Sequence, residues 1–464
     1  MTSATVNRFI PNTAPGVREA MLTEIGVGSV DDIYEEIPAD VRFKGTLDLP
    51  SAGLPEAEVA RLVGDLLKAN KTTEDYLSFL GAGCWPHYTP ALIDEVIGRS
   101  EFLTAYAGVE VIDHGRFMAI FEFQSMMADL LEMDVVGSAV YDGSTAAGDA
   151  IQMASRITGR RELLLPRLID PDRLKVMVNY NGPWFDVVYV DHDAGTGNLD
   201  VTDLRRKMSD RTAAVYIENP TYLGTIETNC GEISRIAHEA GALLIANVNP
   251  ASLGVVAPPG QYDADIACGD GQPLGLPQAG GSTRLGILAC KNEKRFVSAL
   301  PMLMVGILPT RVHGERAYTW HALFDKIFYG TREAARSYSG SSSFLMAIGT
   351  AVYMALLGPK GMKDLGSANM QKAAYAMRHI GRIPGLKAPV FQGPHFNEFV
   401  VNVDATGHTV AEINAALLER GILGGRDVSK EFPELGQSAL LCVTERHTQA
   451  EIDRLVETLA EVAR

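Results

Sequence analysis

Cysteine is scarce: five residues in 464, at Cys84, Cys230, Cys268, Cys290 and Cys442, with no CxxC pair among them. That scatter offers neither a zinc site nor a disulfide framework. Positive charge is short as well, with 41 Lys and Arg against 57 Asp and Glu and a net charge of −16. No basic stripe is available to neutralise phosphates, which argues against a nucleic-acid partner. No apolar run reaches membrane-spanning length, and the opening residues MTSATVNRFIPNT lack the apolar stretch of a signal peptide. A cytoplasmic protein without membrane contact is the expectation. His192, His238, His321, His379 and His408 each stand without a second ligand at helical or strand spacing, so no metal is expected.

What is present is an ordinary globular composition, 46% hydrophobic and 21% charged, long enough for one large domain and one or two smaller ones. Residues 1–75 read as an arm. It has a capped helix start after Thr13, a short acidic helix from Ser29 to Pro38, and an amphipathic stretch from Leu54 to Leu67. From 76 to 330 strand and helix alternate, which predicts an open parallel or mixed sheet covered by helices. Strands are expected at Glu162–Pro166, Lys175–Val178, Val187–Val190, Ala213–Ile217, Leu243–Ala246 and Ile287–Ala289. A long helix is expected from Arg116 to Met133. A break near 326–345, ending in Ser337–Ser343, opens a small α+β domain over 331–464. Its helix Phe344–Leu357 and strands Glu398–Val403 and Ala439–Val443 complete the plan.

Three loops carry chemistry-bearing residues. Ser78–Pro90 is hinged by Gly81 and Gly83 and presents Cys84, Trp85, His87 and Tyr88, either to a ligand or, as a plain surface turn, to the next helix. Tyr141-Asp-Gly-Ser-Thr145 enters a helix whose amides and the hydroxyls of Ser144 and Thr145 suit a phosphate or an ordinary N-cap. Glu218-Asn219-Pro220 stands at the carboxyl end of a strand, where open α/β sheets place ligands.

The stretch Leu243–Ala289 joins these. Apolar runs at either end enclose two polar turns and a Gly/Pro-rich loop. The layout resembles the cofactor segment of pyridoxal-phosphate enzymes of the aspartate-aminotransferase type, fold type I. The resemblance implies a carboxylate at the end of the first strand for the pyridinium nitrogen, and a lysine after the next strand for the Schiff base. Here the first position holds Asn247 or Asn249. The second falls in Gly269-Asp270-Gly271-Gln272, which has no lysine. Lys291 and Lys294 come one strand too late and read as solvated.

FLGAG at 79–83, IFEFQSMMADLLEMDV at 120–135, YDGSTAAGDA at 141–150, PASLGVVAPPGQYDADI at 250–266, GQPLG at 271–275 and FNEFVV at 396–401 resemble the glycine cleavage system P-protein family. More narrowly they resemble the alpha chain of its two-chain bacterial form. The resemblance implies an α2β2 heterotetramer in which the beta subunit carries pyridoxal phosphate, decarboxylates glycine and passes the aminomethyl group to the lipoyl H-protein. The alpha chain would complete that site from across the interface. Cys84, Trp85, His87, Tyr88, Tyr106 and Glu110 are then the expected substrate or interface residues. Tyr141, Ser144, Thr145, Asn219, Asn249 and Gln272 would line a relic cofactor pocket.

Departures from the family pattern fall on loops. Thr104–Gly115 stands where TAYTPYQPEISQG is usual, Ala335–Ser341 where ATSNICT is usual, Gly280–Gly286 where GGPYLG is usual, and Cys84-Trp85-Pro86 where Ala-Tyr-Asp is common. Changed loops on a kept scaffold suggest a divergent alpha chain whose complex accepts a small amino acid or amine other than glycine. Two rivals remain: a catalytically silent scaffold, and an independent pyridoxal-phosphate enzyme using Lys291.

Overall fold

The computed structural model describes residues 14, 16–45, 47–49, 53–103, 114–182, 185–281, 285–302, 304–321 and 343–464. The expected break at Ser337–Ser343 lies outside these residues except for its last position. The chain divides into two compact units, Met1–Asn70 and Lys71–Arg464.

The first unit holds the helix Val17–Ile25, a 3-10 turn at Asp31–Tyr34 and the helix Glu56–Leu67. None of these elements has a buried residue. Val59, Leu62, Val63, Leu66 and Leu67 form one apolar helical face, and all are exposed.

The second unit opens with β1 (Leu77–Ser78), then β2 (Val135–Val136), β3 (Glu162–Pro166), β4 (Asp186–Val190), β5 (Thr212–Asn219), β6 (Leu243–Val248), β7 (Ile266–Asp270) and β8 (Gly286–Cys290). β2 to β8 form one seven-stranded sheet in the order β2-β8-β7-β6-β5-β3-β4. All its pairings are parallel except those of β8, which runs antiparallel to both β7 and β2. β5 and β6 are buried at every position, which is why they read as unbroken apolar runs rather than alternating ones. Helices cover the two faces, giving one core under His114–Leu131 and Phe344–Ile380 and another under Gly143–Thr158. Each fully buried Phe or Leu in such a core is worth about 1.5–3 kcal/mol.

The hairpin β9 (Met304–Pro309) and β10 (Arg316–His321) follows, then the helix Phe344–Ile380. That helix is long and apolar enough to cross a membrane by length and composition alone. It is broken at Gly358 (φ 60°, ψ −177°), just before Pro359, and Phe344, Ala347, Ile348, Ala351 and Met354 pack into the core. β11 (Glu398–Asn402), β12 (Ile422–Leu423), β13 (Arg426–Asp427) and β14 (Ser438–Cys442) finish the chain, with β11-β14-β13 as an antiparallel sheet and β12 pairing back to β1.

The mixed sheet, the long helix near 116 and the C-terminal α+β region match the sequence reading. Several elements differ: the expected helix Ser29–Pro38 is a 3-10 turn at Asp31–Tyr34, and the hairpin β9–β10 was not expected. Lys175–Val178 is not a strand but part of the helix Pro171–Asn181. The apolar KVMV run suggested a strand, while Asp170, an N-cap, followed by Pro171 at the first helical position was the better signal. β7 was not expected, because its residues Ile-Ala-Cys-Gly-Asp are small and end in a charge.

The turn after β5 is stitched to the segment leading into β11: Ile226 N–H donates to Pro394 O (2.9 Å) and Phe396 N–H to Gly224 O (3.1 Å). Gly224 has φ +94°, and a Cβ there would fall 1.9 Å from Glu398 O. Gly224→Ala should therefore lose on the order of 3 kcal/mol of stability through overpacking and backbone strain. The urea unfolding midpoint of the variant measures it; an unchanged midpoint would contradict this close approach.

Candidate functional site

The loop 79–88 is a clamp between the two sheets. Phe79 N–H donates to Leu423 O (2.8 Å), and Cys442 N–H donates to Phe79 O (2.9 Å). Gly81 is required by proximity, since a Cβ would lie 2.4 Å from Glu398 Oε1. Glu398, on β11, accepts Ala82 N–H on Oε1 (2.6 Å) and the Trp85 indole N–H on Oε2 (2.7 Å). From the other side Gln272 holds the Trp85 backbone at both ends: its Oε1 accepts Trp85 N–H (3.0 Å) and its Nε2 donates to Trp85 O (2.9 Å). A third bond, Gln272 Nε2 to Leu276 O (3.1 Å), secures the GQPLG turn itself. Thr444 Oγ1 donates to Pro86 O (2.7 Å).

Beyond the clamp, His87 turns inward. Its Nδ1 lies 2.8 Å from Glu445 Oε2, its side chain is 1% exposed, and Nε2 has no partner. Glu445 Oε1 accepts Tyr88 N–H (2.8 Å). Burial opposes ionisation of Glu445, but the hydrogen bonds from His87 and Tyr88 outweigh it and hold the carboxyl below its usual range. Only Tyr88 of the loop's aromatics faces outward, at 61% exposure. Cys84 is half-buried against Gln278 O (3.7 Å), and burial, with Asp270 nearby, pushes its thiol up to about 11. At neutral pH it is a thiol and not a nucleophile. The loop is thus neither a loose surface turn nor an open presentation of His87.

The phosphate-turn candidate is built as expected and already filled. Asp142 caps the helix Gly143–Thr158, accepting Thr145 N–H (2.7 Å). Gly143 N–H, the first free amide of that helix, donates to Asp270 Oδ2 (2.8 Å), while Asp270 Oδ1 accepts Gln272 N–H (2.9 Å). A helix N-terminus favours an anion, and here the chain supplies its own. A Cβ on Gly143 would meet Asp270 Cβ at 2.9 Å, so the carboxylate sits flush on the turn. Ser144 is half-buried and Tyr141 is 48% exposed.

Asn247 and Asn249 line a cavity of about 30 Å³ together with Trp85, Asp170, Arg173, Glu218 and others. Asn249 also caps the turn after β6 through Ala251 N–H (3.0 Å). Asn219 turns to the far side, where it accepts Glu227 N–H (3.1 Å) and donates to Cys230 Sγ (3.4 Å), so it is a structural residue. The neighbour that enters the cavity is Glu218, paired with Arg173 and accepting the Tyr216 hydroxyl (3.1 Å). Tyr106 and Glu110 lie outside the described residues. Lys291 is half-buried and not freely solvated: it bridges Asp263 (2.7 Å) and Asp265 (2.8 Å), and although burial works against its charge, the two carboxylates raise its pKa. An amine held protonated between carboxylates is a poor Schiff-base former. Among the described residues no group of His, Cys, Asp and Glu is arranged to hold a metal ion, and all five cysteines are free.

The residues missed by sequence reasoning are Asp270 as an anion, Glu445, and the Asp170–Arg173–Glu218–Glu398 set. Glu218 and Glu398 sat inside motifs already singled out. Arg173 was hidden by the mistaken strand.

Residues 7–459 match the family model described as glycine cleavage system P-protein. The chain belongs to that family. The P-protein relatives include the probable glycine dehydrogenase (decarboxylating) subunit 1 of Staphylothermus marinus, 38% identical over 98% of each chain. That of Bacillus subtilis is 36% identical over 98% of this chain and 99% of its own. A crystal structure of glycine decarboxylase (P-protein) in inhibitor-bound form superposes with a TM-score of 0.85 at 31% identity, covering 98% of this chain and 100% of the other. The sphingosine-1-phosphate lyase of Burkholderia pseudomallei shares the fold at a TM-score of 0.66 and 16% identity, over 92% and 94%. The P-protein body is therefore a fold type I body, as the cofactor-segment layout implied.

Against that fold, pyridoxal phosphate does not fit this P-protein chain. No lysine follows β7, no carboxylate ends β6, and the phosphate turn is capped by Asp270.

Burial drives the Glu398 carboxyl up to about 7 against the hydrogen bonds from Ala82 and Trp85, which favour the charged form. An acid whose pKa is higher folded than unfolded binds more protons in the native state, so stability falls as pH rises from 4.5 through about 7. The Trp85 indole N–H resonance should titrate with a midpoint near 7, and Glu398→Gln should remove that titration. A flat Trp85 signal across this range would refute the assignment.

Proposed function

We propose that this chain is the lysine-free alpha subunit of a glycine dehydrogenase (decarboxylating), acting in the cytoplasm through a beta subunit that holds pyridoxal phosphate. The observation that carries the reading is Asp270 on the Gly143 amide, which closes the phosphate seat from within. The name subunit 1 borne by relatives identical at 38% supports a second chain. In this reading an α2β2 assembly decarboxylates glycine and hands the aminomethyl group to lipoyl H-protein.

The chain's own contribution is positional. Gln272, Glu398 and Thr444 fix the loop that carries Tyr88 outward, and Tyr106 and Glu110 keep the substrate or interface role that the resemblance implies. The N-terminal arm covers its exposed apolar face on the partner. The three-part division into an arm at 1–75, a large domain at 76–330 and a small domain at 331–464 belongs to this proposal. The inward lock of His87 on Glu445 favours a second reading, a scaffold that contributes no group to the chemistry.

The isolated chain mixed with pyridoxal phosphate should stay colourless. With its beta partner it should exchange labelled carbonate into glycine. An aldimine band on the isolated chain would overturn the division of labour; exchange with another small amine but not glycine would favour a divergent substrate. Tyr88→Ala should lower turnover by about ten-fold or more with assembly intact, on the scale of one lost hydrogen-bonding contact. Unchanged turnover in that variant favours the scaffold.

A further inference from the structure

The cleft that the fold gives to an anionic cofactor is electronegative in this chain. Asp170, Glu218, Asp270 and Glu398 line it against one lining guanidinium, Arg173, while a second, Arg426, acts on Tyr222 and Asp170 from outside the lining. Three of the carboxylates are satisfied by N–H groups of the chain. Asp170 Oδ1 accepts Asp172 N–H (2.9 Å) and Arg173 N–H (3.3 Å), Asp270 takes Gly143 and Gln272, and Glu398 takes Ala82 and Trp85.

Glu218 differs. Its Oε1 meets Arg173 and the Tyr216 hydroxyl, but Oε2 has no partner although the side chain is only 2% exposed. The hydroxyl of Tyr222, a residue 6% exposed, is also unpartnered, and both side chains line the same cavity of about 30 Å³. Arg173 Nε lacks a partner as well, but its charge is already engaged by Glu218 and by Asp170 at 3.6 Å. Buried acceptors left open are costly, and native proteins fill such places with a donor. A cavity of this volume admits about two water-sized atoms. Water would satisfy the hydrogen bonds and leave the excess negative charge; a small cation answers both.

We propose that this cavity binds a small ammonium-type cation, ammonium or methylammonium, donating to Glu218 Oε2 and the Tyr222 hydroxyl. The proposal concerns this chain alone, and its test needs no beta subunit. Asn247 and Asn249 also line the cavity, with their side-chain oxygens taken by Cys268 Sγ (3.7 Å) and Ala251 N–H (3.0 Å). The size of the cavity excludes quaternary ammonium ions.

The test is thermal unfolding of the full chain at constant ionic strength, at a mildly alkaline pH that ionises the burial-raised carboxyls and stays below the range in which ammonium itself loses its proton. Ammonium chloride and methylammonium chloride are titrated against tetramethylammonium chloride. Ligand binding to the native state alone should raise Tm saturably, by about 2 °C at high occupancy. Tetramethylammonium should give no such rise. Tyr222→Phe, which removes one hydroxyl and leaves the ring, should move the saturation midpoint about ten-fold higher. Glu218→Gln should abolish the response; should that variant fail to fold with Arg173 unpaired, Tyr222→Phe decides alone. Equal melting in all three salts, or an unshifted midpoint in Tyr222→Phe, overturns the proposal and leaves water as the occupant.

Discussion

A single hydrogen bond governs what this body can do: Gly143 N–H to the Asp270 carboxylate, at 2.8 Å. The N-terminus of a 16-residue helix concentrates partial positive charge and unsatisfied amides, which is why fold type I enzymes set a phosphate there. Here the strand β7 ends in an aspartate that reaches the same place. Supplying the anion covalently removes the loss of freedom that a ligand would bring and leaves the helix permanently capped. The start of this helix is therefore engaged by a side chain of the same sheet.

The second consequence of the missing lysine falls on Gln272. In the turn where a Schiff-base amine would be expected, an amide side chain grips Trp85 at its N–H and its carbonyl. Glu398 grips the same residue at its indole. Gln272 is a strut from the end of β7, and together with Glu398 on β11 it ties the loop 79–88 to both sheets. The loop's order is thereby transferred to its exposed end, Tyr88, the part that a partner would touch.

How much of this was legible beforehand follows a physical divide. β5 and β6 were readable because strands buried on both faces need uninterrupted apolar residues. β7 was not, since Gly269 answers to crowding: a Cβ there would lie 2.5 Å from Val248 O. The absent lysine was plain from the letters. The replacement anion was not, because Asp270 and Gly143 are 127 residues apart and only the packing of β7 under the helix brings them together. His87 was left between presentation to a ligand and packing on the next helix; its contact with Glu445 was hidden because the two lie 358 residues apart. Tyr141, Ser144 and Thr145 do stand at the expected helix start, but the cap is Asp142 and not the Gly-Ser-Thr run to which it had been given.

The first seventy residues carry a further implication. A helix that shows Val59, Leu62, Val63, Leu66 and Leu67 to solvent has no core of its own to rest upon. Left uncovered, such a stripe is what chaperones hold and what proteases find first. Copies without a binding companion would then be cleared faster than assembled ones. Through that surface alone the cell would keep the supply of this polypeptide in step with whatever shelters it.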